Sequence, residues 1–71
     1  MSIDIRKLNS GDVNREVRYS VQGLTEWGKI VRWNDRFIFV RYYFRQYDGG
    51  PPIPRTGETP EATDPGSLEF V

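Results

Sequence analysis

Apolar and polar side chains alternate between residues 15 and 21, with Val17, Tyr19 and Val21 set against Glu16, Arg18 and Ser20. A period of two marks a strand with one buried face. A turn cluster of Asn9, Ser10, Gly11 and Asp12 precedes it, where Ser10 or Asp12 is placed to cap a single helical turn. Gln22, Gly23, Leu24 and Thr25 form the next turn. A second strand is expected over residues 26–33, and a third from Arg36 to Tyr43 or Phe44. Both are rich in aromatic and β-branched residues, and they meet at a polar turn of Asn34, Asp35 and Arg36, which predicts a β-hairpin. Gly28 inside the second strand predicts a bulge or a close backbone approach.

The third strand is apolar at both parities. Ile38, Val40, Tyr42 and Phe44 make one face, and Phe37, Phe39, Arg41, Tyr43 and Arg45 make the other. The β-branched face is expected inward, because Arg41 and Arg45 lie opposite it. The second face then needs a cover, whether more of the chain, a second copy or a partner. From Gln46 the period is lost. Residues 46–60 carry four of the five prolines and three of the seven glycines, and they read as a long mobile loop. Glu61, Ala62 and Thr63 suggest a short strand. Asp64, Pro65, Gly66 and Ser67 suggest a 3₁₀ turn, and residues 68–71 a closing strand with Leu68 and Phe70 inward. The pattern predicts one all-β domain over residues 1–71, with an arm and turn at 1–14. Its five short strands suit an SH3-like (Tudor-like) barrel, whereas the rival OB-fold usually needs a longer chain.

Composition narrows the chemistry. A chain of 71 residues buries only a modest core, and this one has no Cys and no His. Disulfides and thiolate or imidazole metal sites are therefore excluded, and no cofactor is indicated. Ten aromatic residues supply core area instead. No run approaches the length of a membrane helix, and the start of the chain lacks the charged and apolar regions of a signal peptide. A cytoplasmic protein is expected. The formal net charge is zero but unevenly placed: residues 1–46 hold nine Lys/Arg against five acids, and residues 47–71 hold Arg55 against five acids. That fits a basic face with an acidic tail, or two halves that pair within one fold.

Four stretches resemble a pattern in small proteins of tailed bacteriophages and prophages. They are Gly11-Asp12-Val13-Asn14-Arg15-Glu16-Val17-Arg18-Tyr19, the pair Gly28-Lys29-Ile30 and Trp33-Asn34-Asp35-Arg36-Phe37-Ile38-Phe39-Val40-Arg41-Tyr42, and Ala62-Thr63-Asp64-Pro65-Gly66-Ser67-Leu68-Glu69-Phe70. The resemblance covers most of the chain from residue 11 onward. It implies an SH3- or Tudor-like barrel of phage or prophage origin, in a family mostly without an assigned function. Residues 44–60 depart from the pattern, which has a shorter link after the Val-Arg-Tyr strand.

Without His or Cys the usual general base and strongest nucleophile are missing, so no enzyme is expected. Neither of the carboxylate pairs considered, Glu26 with Asp35 and Glu58 with Glu61, suggests a closed catalytic cleft. Two binding classes remain, and no small-molecule substrate is indicated. A protein-interaction module is one, self-association as a homodimer included. Trp27, Trp33, Tyr42 and Tyr43 are candidates for an aromatic groove, and the chain carries a proline-rich segment of its own at 51–55 that such a groove would take. A cage for methylated Lys or Arg is a remote variant of this idea. Single-stranded nucleic acid is the alternative, because Arg and Lys interleave with rings along the hairpin, although the pI of about 6.2 is far from a basic footprint. The candidate interaction residues are Trp27, Trp33, Arg36, Phe37, Phe39, Arg41 and Tyr43 on the sheet, with Pro51, Pro52 and Pro54 on the loop. The two classes differ in whether the cations cluster on one exposed face among rings.

Overall fold

The computed structural model describes residues 2–56 and 59–71. It forms a single antiparallel sheet of β1 (Glu16–Val21), β2 (Leu24–Trp33), β3 (Ile38–Tyr47), β4 (Ile53–Pro54), β5 (Glu61–Thr63) and β6 (Leu68–Phe70). The strand order is β4-β3-β2-β1-β6, and β5 lies on the same edge of β3 as β4. Three 3₁₀ turns, at Ile5–Lys7, Ser10–Asp12 and Pro65–Ser67, complete the described elements, and none of these is an α-helix. No helix among the described residues is long and apolar enough to cross a membrane.

The all-β class stands, but the count of five strands and the closed barrel do not. Among the described residues there are six strands, and the sheet is open: β5 pairs with β3 and β6 with β1, but not with each other. The sixth strand comes from the segment read as a mobile loop. β3 continues to Tyr47, a turn through Gly49 (φ 76°) reverses the chain, and β4 returns along β3 with Phe44 opposite Pro54 and Arg45 opposite Ile53. The Arg55 amide then donates to the Tyr43 carbonyl at 2.9 Å. Pro54 lacks a ladder donor, so this short strand is tolerated only at an edge. Gly57 and Glu58 of the expected loop, and Met1 of the expected arm, lie outside the described residues. Two boundaries also move. β2 begins at Leu24, because Gln22 and Gly23 (φ 78°) alone make the turn from β1. β3 begins at Ile38 instead of Arg36. The cap of the Ser10–Asp12 turn is Asn9, with Asp12 reciprocating in a capping box.

Two bulges set which side chains share a face. Between β2 and β3 the register passes from Gly28↔Tyr42 to Trp27↔Phe44, which leaves Tyr43 unopposed; between Ile30↔Val40 and Arg32↔Phe39 it leaves Val31 unopposed. An extra residue reverses the alternation beyond it and strengthens the local twist. Ile38, Val40 and Tyr42 are therefore buried as expected, but Phe44 turns outward at 41% exposure and joins Trp27. Arg45, expected on the outer face, turns inward beside Glu26. Gly28 sits where the strands cross most closely. A Cβ there would stand 2.6 Å from the Arg41 carbonyl oxygen and 2.6 Å from Val40 Cγ1.

The inner face holds Ile3, Val17, Ile30, Ile38, Val40, Tyr42 and Leu68, with Ile5, Leu8, Tyr19, Trp33 and Phe70 packed against them. The N-terminal arm is tied on by Ile3, whose amide donates to the Pro65 carbonyl at 3.1 Å. Tyr42 Oη shares a 2.7 Å hydrogen bond with Thr63 Oγ1. Burial pushes its phenol from the ordinary 10.0 up to about 12; the Thr63 bond works against the shift, and Glu26 and Glu61 add to it. Above pH 10 an unfolded Tyr42 would lose its proton while the folded one keeps it. The unfolded state then binds fewer protons, and stability falls as pH rises. The contribution is fully present below pH 10 and is lost as pH climbs through about 12. Urea midpoints of the wild type are expected to drop across this window, and Tyr42→Phe is expected to flatten that drop. An equal drop in the variant would assign the alkaline loss to other groups.

Candidate interaction face

With the inner face committed to the core, the outer face presents four rows of side chains across the strands. The longest runs Glu69, Arg18, Trp27, Phe44, Pro54 from β6 to β4. Beside it toward the β3 turn runs Glu16, Lys29, Arg41, and beyond that Arg32, Phe39, Ala62. Ser20, Thr25 and Gln46 make the row on the other side. Lys29 and Arg41 are exposed and directly opposed, and neither makes an ion pair among the described residues. Like charges across a ladder destabilise the pair, and only Glu16, opposite Lys29 on β1, offsets this within the row. The Arg32 guanidinium lies 4.5 Å from the centre of the Phe39 ring. At the other end Tyr43 and Phe44 meet edge to face, with ring centres 5.5 Å apart. Two aromatic stations thus flank a pair of cations that make no ion pair among the described residues.

An apolar groove of about 410 Å³ opens at the second station, lined by Glu16, Trp27, Tyr43, Phe44, Gln46 and Pro52. Trp27 and Phe44 face each other across β2 and β3, and Pro52 reaches in from the link before β4. The proline-rich segment thus sits along its own sheet's edge and walls its own aromatic groove.

The candidates read from the sequence separate accordingly. Trp27, Phe39, Arg41, Tyr43, Pro52 and Pro54 belong to the outer face or its groove. Trp33 does not: it pairs with Ile38 and packs on the core. Arg36 and Phe37 lie at the hairpin end, where the amides of both donate to Asn34 Oδ1 at 2.8 and 2.7 Å. Trp33 and Arg36 instead line an open cleft of about 940 Å³ against the N-terminal arm. Pro51 is exposed in the link before β4. Lys29 and Arg32, two of the hairpin cations of the nucleic-acid reading, complete the face together with Phe44, Glu16 and Gln46, which were not among the candidates. Strand parity finds Glu16, Lys29 and the neighbouring Trp27, but Arg32, Phe44 and Gln46 lie beyond a bulge.

Charge pairing follows in part the second reading of the charge asymmetry, in which the two halves pair within one fold. Among the described residues, ion pairs join the basic and acidic halves at Arg18–Glu69 and Arg55–Glu26. Arg18 Nε donates to Glu69 Oε1 at 2.9 Å and holds that carboxyl below its usual range. On the inner side, nearly buried Glu26 accepts from Arg55 and lies 3.5 Å from Arg45 Nε. Arg55 also contacts Glu61 at 2.9 Å, and its guanidinium stands over the Tyr42 ring, 5.6 Å from the centre. Burial works against the charge on Arg55, but the bond to Glu61 and the charge of Glu26 outweigh it and raise its pKa. This cluster fastens β4 and β5 to the body of the sheet. The cations of the outer face stay outside it. No known protein family, curated protein or solved structure matches the chain.

Proposed function

We propose that the outer face binds single-stranded nucleic acid, as an accessory binding protein and not as an enzyme. The observation that carries this reading is Lys29 and Arg41, directly opposed and without an ion pair among the described residues, between two aromatic stations. Single-strand binders combine cations that track the backbone with rings on which bases stack. Here the cations lie one row from Trp27 and Phe44 on one side and from Arg32 and Phe39 on the other. Chain neutrality sets the scale: a footprint of a few phosphates and modest affinity. The SH3-like assignment and the phage association belong to the same proposal; an antiparallel sheet with a 3₁₀ turn before its last strand supports the first.

A protein partner or a second copy is the competing reading for this face, since aromatic residues and Arg also anchor protein interfaces. The sheet edges argue against pairing by strand extension: β4 ends on proline, and β5 and β6 are three residues long. An acidic protein patch would satisfy the cations but would leave nothing specific for the rings to stack on.

Lys29, Arg32 and Arg41 together predict a salt slope of about −2 for a single strand, so affinity is expected to fall roughly 20-fold between about 50 and 200 mM salt. Lys29→Ala with Arg41→Ala is expected to weaken binding at low salt and reduce the slope to about −0.7. Fluorescence anisotropy with a labelled oligonucleotide measures both. Binding that ignores salt, a double variant that binds like the wild type, or no binding to any single strand overturns the proposal. Nuclease-resistant capture of an acidic protein would reassign the face to protein.

A further inference from the structure

The groove at Trp27 and Phe44 has a chemistry of its own beyond stacking. Three rings and Pro52 make its walls, and two polar side chains, Glu16 and Gln46, stand at it. Gln46 spends a donor on the chain itself: its Nε2 donates to the Gly50 carbonyl at 2.9 Å. That bond fixes the amide's orientation and leaves Oε1 as an acceptor without a partner among the described residues. The Glu16 carboxylate is exposed and accepts only. It lies diagonally across β1 and β2 from Trp27, on the same face. The Lys29–Arg41 row adjoins the groove, so a nucleotide whose base entered would keep its phosphate beside the cations.

Resting on the nucleic-acid reading above, we infer that this groove takes one unpaired base and selects bases that carry an exocyclic amino group. Cytosine offers N4–H and adenine N6–H to the Glu16 carboxylate or to Gln46 Oε1, the match by which carboxylates read cytosine and amides read adenine. Guanine offers two donors on one edge. Thymine and uracil place carbonyl oxygens on both sides of their single N3–H, and those oxygens would face acceptors. Stacking on Trp27 is common to all bases and gives affinity without choice; the two acceptors supply the choice. Glu16 costs something in general affinity, because it stands near the phosphates.

Anisotropy titrations with labelled (dC)₁₀, (dA)₁₀ and (dT)₁₀ at low salt test the inference on the whole chain. Cytosine and adenine oligomers are expected to bind at least about fivefold more tightly than thymine. Glu16→Gln presents a donor as well as an acceptor, so it is expected to bring the dC/dT ratio toward one while raising affinity for all three. Gln46→Leu, a second change at an accessible position, is expected to lower the ratio without that general gain. Binding of dT equal to or tighter than dC, or a ratio that neither variant moves, overturns the base preference and leaves the nucleic-acid reading standing. Failure of all three oligomers to bind removes the parent reading and the inference with it.

Discussion

Glu26→Gln is expected to lower the melting temperature by about 10–20 °C, read by circular dichroism on heating. Glu26 retains 9% of its side-chain exposure and faces two guanidiniums, Arg55 at 24% and Arg45 at 32%. Removing one partner of a fully buried pair costs about 3–5 kcal/mol, because the remaining charge is left without its counter-ion. Both arginines here keep some contact with water, which reduces the figure to about 2–3 kcal/mol. A domain of this size shifts by about 4–8 °C per kcal/mol, and its whole stability is about 4–10 kcal/mol. One neutralised carboxylate is therefore expected to remove a large share of the total.

The loss should be local before it is global. Arg55 is the residue through which β4 holds its place, by its amide on Tyr43 and by its guanidinium on Glu26 and Glu61. Hydrogen exchange at the Arg55 amide is expected to speed up in Glu26→Gln more than exchange at the centre of β2. Replacing all three, Glu26→Leu with Arg45→Met and Arg55→Met, is expected to melt above Glu26→Leu alone, because no guanidinium of the cluster is then left without its carboxylate. Arg45 Nε is buried and has no hydrogen-bond partner among the described residues. The cluster therefore already carries one imperfectly satisfied group, and further loss of acceptors there is felt in full. A melting temperature within a few degrees of wild type for Glu26→Gln would show that water already screens the cluster.

How far the sequence could be read follows from where its alternation holds. β1 was legible because its apolar side chains keep one parity throughout, with nothing to interrupt them. The 3₁₀ turn at Pro65 and the short strands on either side were marked by proline, glycine and the turn acids. The outer face was legible only up to its bulges. Nothing in Tyr42, Tyr43 and Phe44 announces that the middle residue is the unopposed one, since all three are large, aromatic and suited to a strand. Without that extra residue Phe44 would point at the core and Arg45 at solvent, as plain alternation has it. β4 was hidden for another reason. Proline signals the loss of a donor, yet an edge strand needs donors on one side only, and here the ladder uses few of them. The ion cluster was invisible too, because Glu26, Arg45, Arg55 and Glu61 come from four strands or their flanks and meet only once those strands pair in register.

Gly28→Ala should cost about 3 kcal/mol or more in urea unfolding, at the upper end of what overpacking usually costs. The new methyl carbon would stand 2.6 Å from the Arg41 carbonyl oxygen, 2.6 Å from Val40 Cγ1 and 2.9 Å from Tyr42 Cα. Two of these atoms are backbone, and the third belongs to a side chain with no exposure at all. None has a flexible end that can move aside, so β2 and β3 must separate or slide. Gly50→Ala is the control: its added carbon meets nothing closer than 3.4 Å, at the Tyr47 carbonyl, and a change within about 0.5 kcal/mol is expected. The consequence of Gly28→Ala reaches the outer face. Gly28↔Tyr42 is the pair next to the bulge at Tyr43, and that bulge puts Phe44 beside Trp27. A strand that slides to make room would take Phe44 and Gln46 out of the groove and leave Lys29 and Arg41 without aromatic neighbours on that side. Under conditions where the variant remains folded, its affinity for single strands is expected to fall with its stability, with Trp27 fluorescence reporting the change. A variant that stays folded, costs less than about 1 kcal/mol and keeps its groove would mean that the close crossing at Gly28 does not fix the register on which this face depends.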